Sequence, residues 1–174
     1  MTMWTTDDIE TMKALAGIVP ADDIGRRLHH PLQQVQAIAI AFGIDLRCYE
    51  RRLDWCPTCA TWRTMDPDCR VCELRRQLDQ LVEDNARAYM RLPQEEKAAH
   101  RERDAAREQS VRPKPKMPDL SGLTRYERIK AEEEFDIAIE QAVIAELEAE
   151  KDRIKHETFR IRQKLKQEGT WNRS

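Results

Sequence analysis

Four of the chain's five cysteines, Cys56, Cys59, Cys69 and Cys72, fall into two C-x-x-C pairs with the spacing C-x2-C-x9-C-x2-C. A C-x-x-C turn can direct two sulfurs at one ion while backbone N–H groups point at them, and two such turns put four thiolates at the corners of a tetrahedron. A site closed in this way leaves no position for water or substrate, so its expected content is one structural Zn2+ rather than a reactive metal. Outside an oxidising compartment, paired cysteines read as metal ligands before disulfides. Two redox pairs are the alternative, but redox chemistry needs a single C-x-x-C in a βαβ setting, which this sequence pattern does not suggest. Cys48 fits neither pair and reads as a small apolar filler or a free thiol.

The cysteine segment also concentrates arginine. Residues 47–76 carry seven arginines against five acids, a local charge of +2. Arg47, Arg51 and Arg52 lead this run, and arginine beside a zinc knuckle can grip phosphate. Trp55 and Trp62 are expected to form the small core beside the metal, since so short a hairpin has little else to bury. The x9 loop is short for a zinc ribbon, so a compact hairpin or a treble-clef-like module is expected. In the second case the last knuckle opens a helix at Glu73-Leu74-Arg75-Arg76.

The elements that must position these residues are expected to be mainly α. Charged residues make up 36% of 174, the apolar set 40%, and the mean hydropathy is -0.77. These values argue against one large core and for long solvated helices with small modules. Five stretches follow: a three-helix domain over residues 1–46, a four-cysteine module over 47–76, a helical segment over 73–109, a proline-rich linker over 110–119 and a long charged helix over 120–174. In the linker, Pro113, Pro115 and Pro118 remove donors and favour extended backbone.

In the first stretch, Thr5 or Thr6 can cap a helix whose first turn carries Asp7, Asp8 and Glu10. Ile9, Met12, Leu15 and Ala16 repeat at helical spacing. A second helix, ADDIGRRL, puts Ile24 and Leu28 on one face, and Pro31 opens a third, LQQVQAIAIAF. That helix is expected to turn Leu32, Val35, Ile38 and Phe42 inward and to end at Gly43. Three short helices with a tight second turn are the plan of a helix-turn-helix. The runs WTTDDIETMKAL, DDIGRRL and QQVQAIAIAFGIDL resemble the tri-helical, Myb/SANT-like helix-turn-helix domains of bacterial and phage regulators. The resemblance covers about a quarter of the chain and implies double-stranded DNA as partner. It implies that the third helix enters the major groove with Gln33, Gln34 and Ala37 at base edges and Gln36 at the side. It places Arg26, Arg27, His29 and His30 near phosphates. The charge departs from that pattern: residues 1–46 hold three basic against six acidic side chains, a local -3, and the third helix has no Lys or Arg.

The long helix carries a broken heptad. One series is Leu123, Lys130, Ile137, Ile144, Lys151, Thr158 and Leu165; the other is Tyr126, Glu133, Glu140, Leu147, Ile154, Ile161 and Glu168. Such a seam suits self-association through this arm, as a coiled coil, or packing back onto residues 74–92.

No Walker loop, nucleophile elbow or H-E-x-x-H run occurs, so neither catalysis nor a small-molecule substrate is expected. No run is long and apolar enough for a membrane span, and the acidic head MTMWTTDDIE is unlike a signal peptide, so no membrane partner and a cytoplasmic setting are expected. The reading that joins these features is a sequence-specific DNA-binding protein, a bacterial or phage transcription regulator. The alternatives are a phage packaging adaptor resembling small terminase subunits, and a zinc-stabilised protein adaptor that does not touch DNA.

Overall fold

A computed structural model describes residues 3–64, 68–105 and 113–167. Residues 106–109 of the expected second helical segment, 110–112 of the linker and 168–174 of the arm, Glu168 among them, lie outside the described residues. The protein is mainly helical, with three short N-terminal helices, one two-stranded sheet and a long C-terminal helix. Among the described residues no helix is long and apolar enough to cross a membrane. The chain divides into two units that do not follow chain order. One comprises Met1–Leu53 with Lys116–Asp136, the other Asp54–Pro115 with Ile137–Ser174.

The first unit contains α1 (Thr6–Leu15), α2 (Ala21–Leu28) and α3 (Leu32–Ala41). Thr5 caps α1 in a reciprocal box: the Asp8 amide donates to Thr5 Oγ1 at 3.2 Å, and the Thr5 amide donates to Asp8 Oδ2 at 2.9 Å. This pair satisfies two amides that have no partner within the helix. Met12, Ile24, Val35 and Ala39 form the core, with Trp4, Leu15, Val19, Leu28 and Ile38 packed on it. The turn from α2 to α3 is only His29-His30-Pro31, and His29 makes it possible by adopting a left-handed φ of 56°. The tightness of that turn explains Gly25: a Cβ there would stand 2.7 Å from the His30 carbonyl oxygen.

Two inward positions expected on α3 are corrected. Leu32 is 41% exposed and Phe42 52% exposed. Val35 and Ala39 define the buried stripe, and Phe42 sits past the last helical turn with φ -100° and ψ 4°.

After α3 the chain runs without regular structure to residue 52 and is tied to the first turns of α6 (Arg125–Gln167). Arg51 pairs with Asp136 at 2.6 Å, and the Arg52 amide donates to Glu133 at 2.9 Å. Arg47 lies over the Tyr126 ring at 4.5 Å. The long helix starts at Arg125, later than the expected 120, because Gly122 takes a φ of 75° and Thr124 forms the cap.

The second unit holds β1 (Leu53–Cys56, from Asp54 on), β2 (Thr61–Thr64), α4 (Arg70–Met90), α5 (Gln94–Ala105) and α6 from Ile137. Arg70 meets Glu148, Gln77 meets Lys151 and Asn85 meets Thr158, so partners ascend together and α4 runs parallel to α6. Ala88 and Leu92 pack with Ile161 and Leu165 at the far end. On α5, Glu96 pairs with Lys164 and His100 with Glu157, the reverse order, so α5 runs back along α6.

Candidate metal centre and nucleic-acid interface

β1 ends in Cys56, the hairpin turn holds Cys59, Cys69 caps α4, and Cys72 lies in the first turn of α4. Each pair forms a knuckle. The Ala60 amide donates to the Cys56 carbonyl at 2.9 Å, and Ala60 takes a left-handed φ of 55° that turns the chain back. The Glu73 amide donates to the Cys69 carbonyl at 3.0 Å, already as part of α4. All four sulfurs lie within 4.8 Å of one another. Across the two knuckles, Cys56 Sγ is 3.7 Å from Cys72 Sγ, and Cys59 Sγ is 3.5 Å from Cys69 Sγ. Four convergent soft donors at this separation can share one metal ion.

Burial and charge support that use. Cys56, Cys59 and Val71 form a small apolar cluster, backed by Val143, Ile144 and Leu147 of α6. The backbone N–H of Cys59 on Cys56 pulls that thiol down to about 6, toward the thiolate, against an ordinary 9.0. Burial, then hydrogen bonds among the sulfurs, pushes the Cys72 thiol up to about 12. Crowding thus works against the thiolate at Cys72, and a bound metal cation would supply the charge that offsets it. Thr61 adds a contact the spacing did not reveal: its hydroxyl lies 2.9 Å from Cys59 Sγ. The signal was the Thr two residues after a ligand. The tryptophans are corrected: they stack edge-on at 5.3 Å, but Trp55 is 50% exposed, and the aliphatic face of α6 backs the sulfurs instead. Cys48 is a half-buried free thiol, 3.5 Å from the Ile18 carbonyl.

The residues expected at DNA are distributed as follows. Gln33, Gln36 and Ala37 are exposed on α3 and share one face with Ile40, which is 82% exposed. Ile40 was legible from helical spacing, three and four residues beyond Ala37 and Gln36. Gln34 is half-buried, with its Oε1 enclosed, so it does not belong to that face. Arg27 and Arg52 are exposed, whereas Arg26 is bound to Asp22 and Asp23 within α2. His30 is corrected outright: it is buried, stacked on Trp4 at 4.1 Å, and 3.8 Å from Asp8, because the tight turn carries it under α1 rather than out to solvent. The Arg47 guanidinium is held by Asp45 at 2.7 Å and the Arg51 guanidinium by Asp136 at 2.6 Å. Both anchor residues 45–52, so phosphate would have to displace a carboxylate already in place.

Comparison with models of known families, with curated proteins and with solved structures returns no match.

Proposed function

We propose that this protein is a non-catalytic, sequence-specific DNA-binding regulator whose second unit is held by one structural zinc ion. Zinc fits the donor set. Tetrahedral thiolates about 2.3 Å from the ion stand about 3.8 Å apart, close to the observed cross-knuckle distances. Cys56, Cys59, Cys69 and Cys72 would hold it, and bound zinc would supply charge neutralisation and a fixed link between hairpin and α4 rather than chemistry on a substrate.

The observation that carries DNA recognition is the α2–turn–α3 arrangement with an outer α3 face of Gln33, Gln36, Ala37 and Ile40. Gln pairs bidentately with adenine N6 and N7, and small apolar groups contact the thymine methyl. The face lacks the arginine that reads guanine, so the expected site is rich in A·T pairs. Arg27 and Arg52 are the candidates for phosphate contact, positioning the domain without reading sequence.

The test is selection of bound duplexes from a random library by the full-length protein at two salt concentrations. An enriched A·T-rich motif, relaxed in Gln33→Ala and Gln36→Ala, is the expected result. Arg27→Ala would weaken all sites about equally. A second reading, a zinc-stabilised protein adaptor, draws on the exposure of Ile40 and Phe42 and the acidic balance of residues 1–46. Absence of duplex binding at low salt would favour it.

A further inference from the structure

The long helix α6 changes sign along its length. Residues 125–150 carry three basic and nine acidic side chains, a balance of -6, whereas residues 151–167 carry seven basic and two acidic, a balance of +5. The overall charge of -2 conceals this. The acidic part is engaged within the chain: Asp136 takes Arg51, Glu133 the Arg52 amide, Glu140 the Thr64 amide and Glu148 Arg70.

Part of the basic half is engaged too, Lys151 with Gln77, Arg153 with Glu150 and Glu157, and Lys164 with Glu96. The inner stripe of this half, Ile154, Thr158, Ile161 and Leu165, is buried. About 100° around the helix, Lys155, Phe159, Arg162 and Lys166 fall at i, i+4, i+7 and i+11 and form one exposed row. Phe159 at its centre is 60% exposed, and His156 and Gln163 flank it. Lys155 and Lys166 are both exposed. An aromatic ring kept in water between cations is not explained by packing. A lone ring with lysines and an arginine is also too narrow an apolar face to insert in a bilayer interface.

We propose that this face of α6 binds single-stranded nucleic acid, its cations on the phosphate backbone and Phe159 stacked on an unpaired base. Cations that track the backbone, with an aromatic platform between them, are the means by which single strands are held without sequence preference. A duplex hides its base faces and leaves Phe159 without a partner. The site shares no residue with α3 and does not depend on the reading of that helix.

The test is fluorescence anisotropy of the full-length protein with a random-sequence single-stranded DNA and with the matching duplex, over a salt series. Lys155→Glu with Lys166→Glu should weaken single-strand binding about tenfold or more and reduce the salt slope by about 1.4, for two lost phosphate contacts. Phe159→Ala should weaken single-strand binding about tenfold and leave duplex binding as it was. Circular dichroism and metal content should match the parent protein in both variants. Gln33→Ala with Gln36→Ala should leave single-strand binding intact, which keeps this result independent of the α3 assignment. Unchanged single-strand binding in the lysine variant would overturn the proposal. So would tighter binding to anionic phospholipid vesicles than to the single strand, lost in the same variant. A dimer seen by light scattering and abolished by those two changes would assign the face to a second copy and overturn it as well.

Discussion

Glu140 Oε2 accepts the backbone N–H of Thr64 at 3.2 Å, from a side chain only 5% exposed. This bond ties the end of β2, and through it the cysteine hairpin, to the middle of α6. Removing one partner of such a bond costs about 1–3 kcal/mol. Glu140→Ala is expected to lower unfolding free energy by about that amount, and Glu140→Gln, which keeps an acceptor, by less. Urea denaturation of the three proteins measures it. Equal stability of Glu140→Ala and the parent would show the bond to be dispensable.

Gly25 makes a second, steric prediction. The carbonyl oxygen of His30 would lie 2.7 Å from any Cβ at this site, and it is backbone that cannot swing aside. Gly25→Ala should therefore destabilise the first unit by about 1–3 kcal/mol, despite the better helix propensity of alanine. Melting of the variant by circular dichroism at or above the parent temperature would mean that the turn is looser than described.

The heptad of α6 shows what was legible in the sequence and what was not. Its spacing was real: Ile154, Thr158, Ile161 and Leu165 are buried on one stripe. Three of its apparent breaks, Glu133, Glu140 and Thr158, are buried, whereas Lys130 is exposed and is a true break. Glu133 and Glu140 sit in the seam because backbone amides of residues far away in sequence need acceptors, and Thr158 because Asn85 donates to it at 2.9 Å. Pairings between residues more than seventy positions apart leave no local periodicity, so in the sequence alone the polar seam positions look like weakness. The same limit explains His30. Its sequence neighbours suggest a solvated loop, and only the three-residue turn and the Trp4 ring bury it. The cysteines, by contrast, were fully legible, because a C-x-x-C knuckle is a local device.

Asp45 supplies a pH prediction. Hydrogen bonds from the Arg47 guanidinium hold its carboxyl down to about 2, below the ordinary 3.8. A pKa lowered in the folded state means that the stabilisation is complete above about pH 4 and is lost as pH falls toward 2. Carboxyl-carbon NMR should place the Asp45 midpoint near the lower value, and Arg47→Ala should return it toward the ordinary one. A midpoint near 3.8 in the parent protein would remove the Arg47 anchor from the account.

Metal removal should act locally before it acts globally. The four sulfurs join β1, the hairpin turn and the start of α4, so chelation is expected to release the Trp55–Trp62 pair and change tryptophan fluorescence. The core of Met12, Ile24 and Val35 belongs to the other unit and should keep its helical signal. Simultaneous loss of both signals on addition of chelator would show that the two units share one folding transition.

The zinc site is tested by metal analysis of the full-length protein by mass spectrometry together with X-ray absorption at the zinc edge. The expected result is one zinc per chain, bound by four sulfurs at about 2.3 Å, and loss of that zinc in Cys59→Ser. Protein purified without metal, unable to take up zinc and with all four cysteines open to thiol reagents, would contradict it.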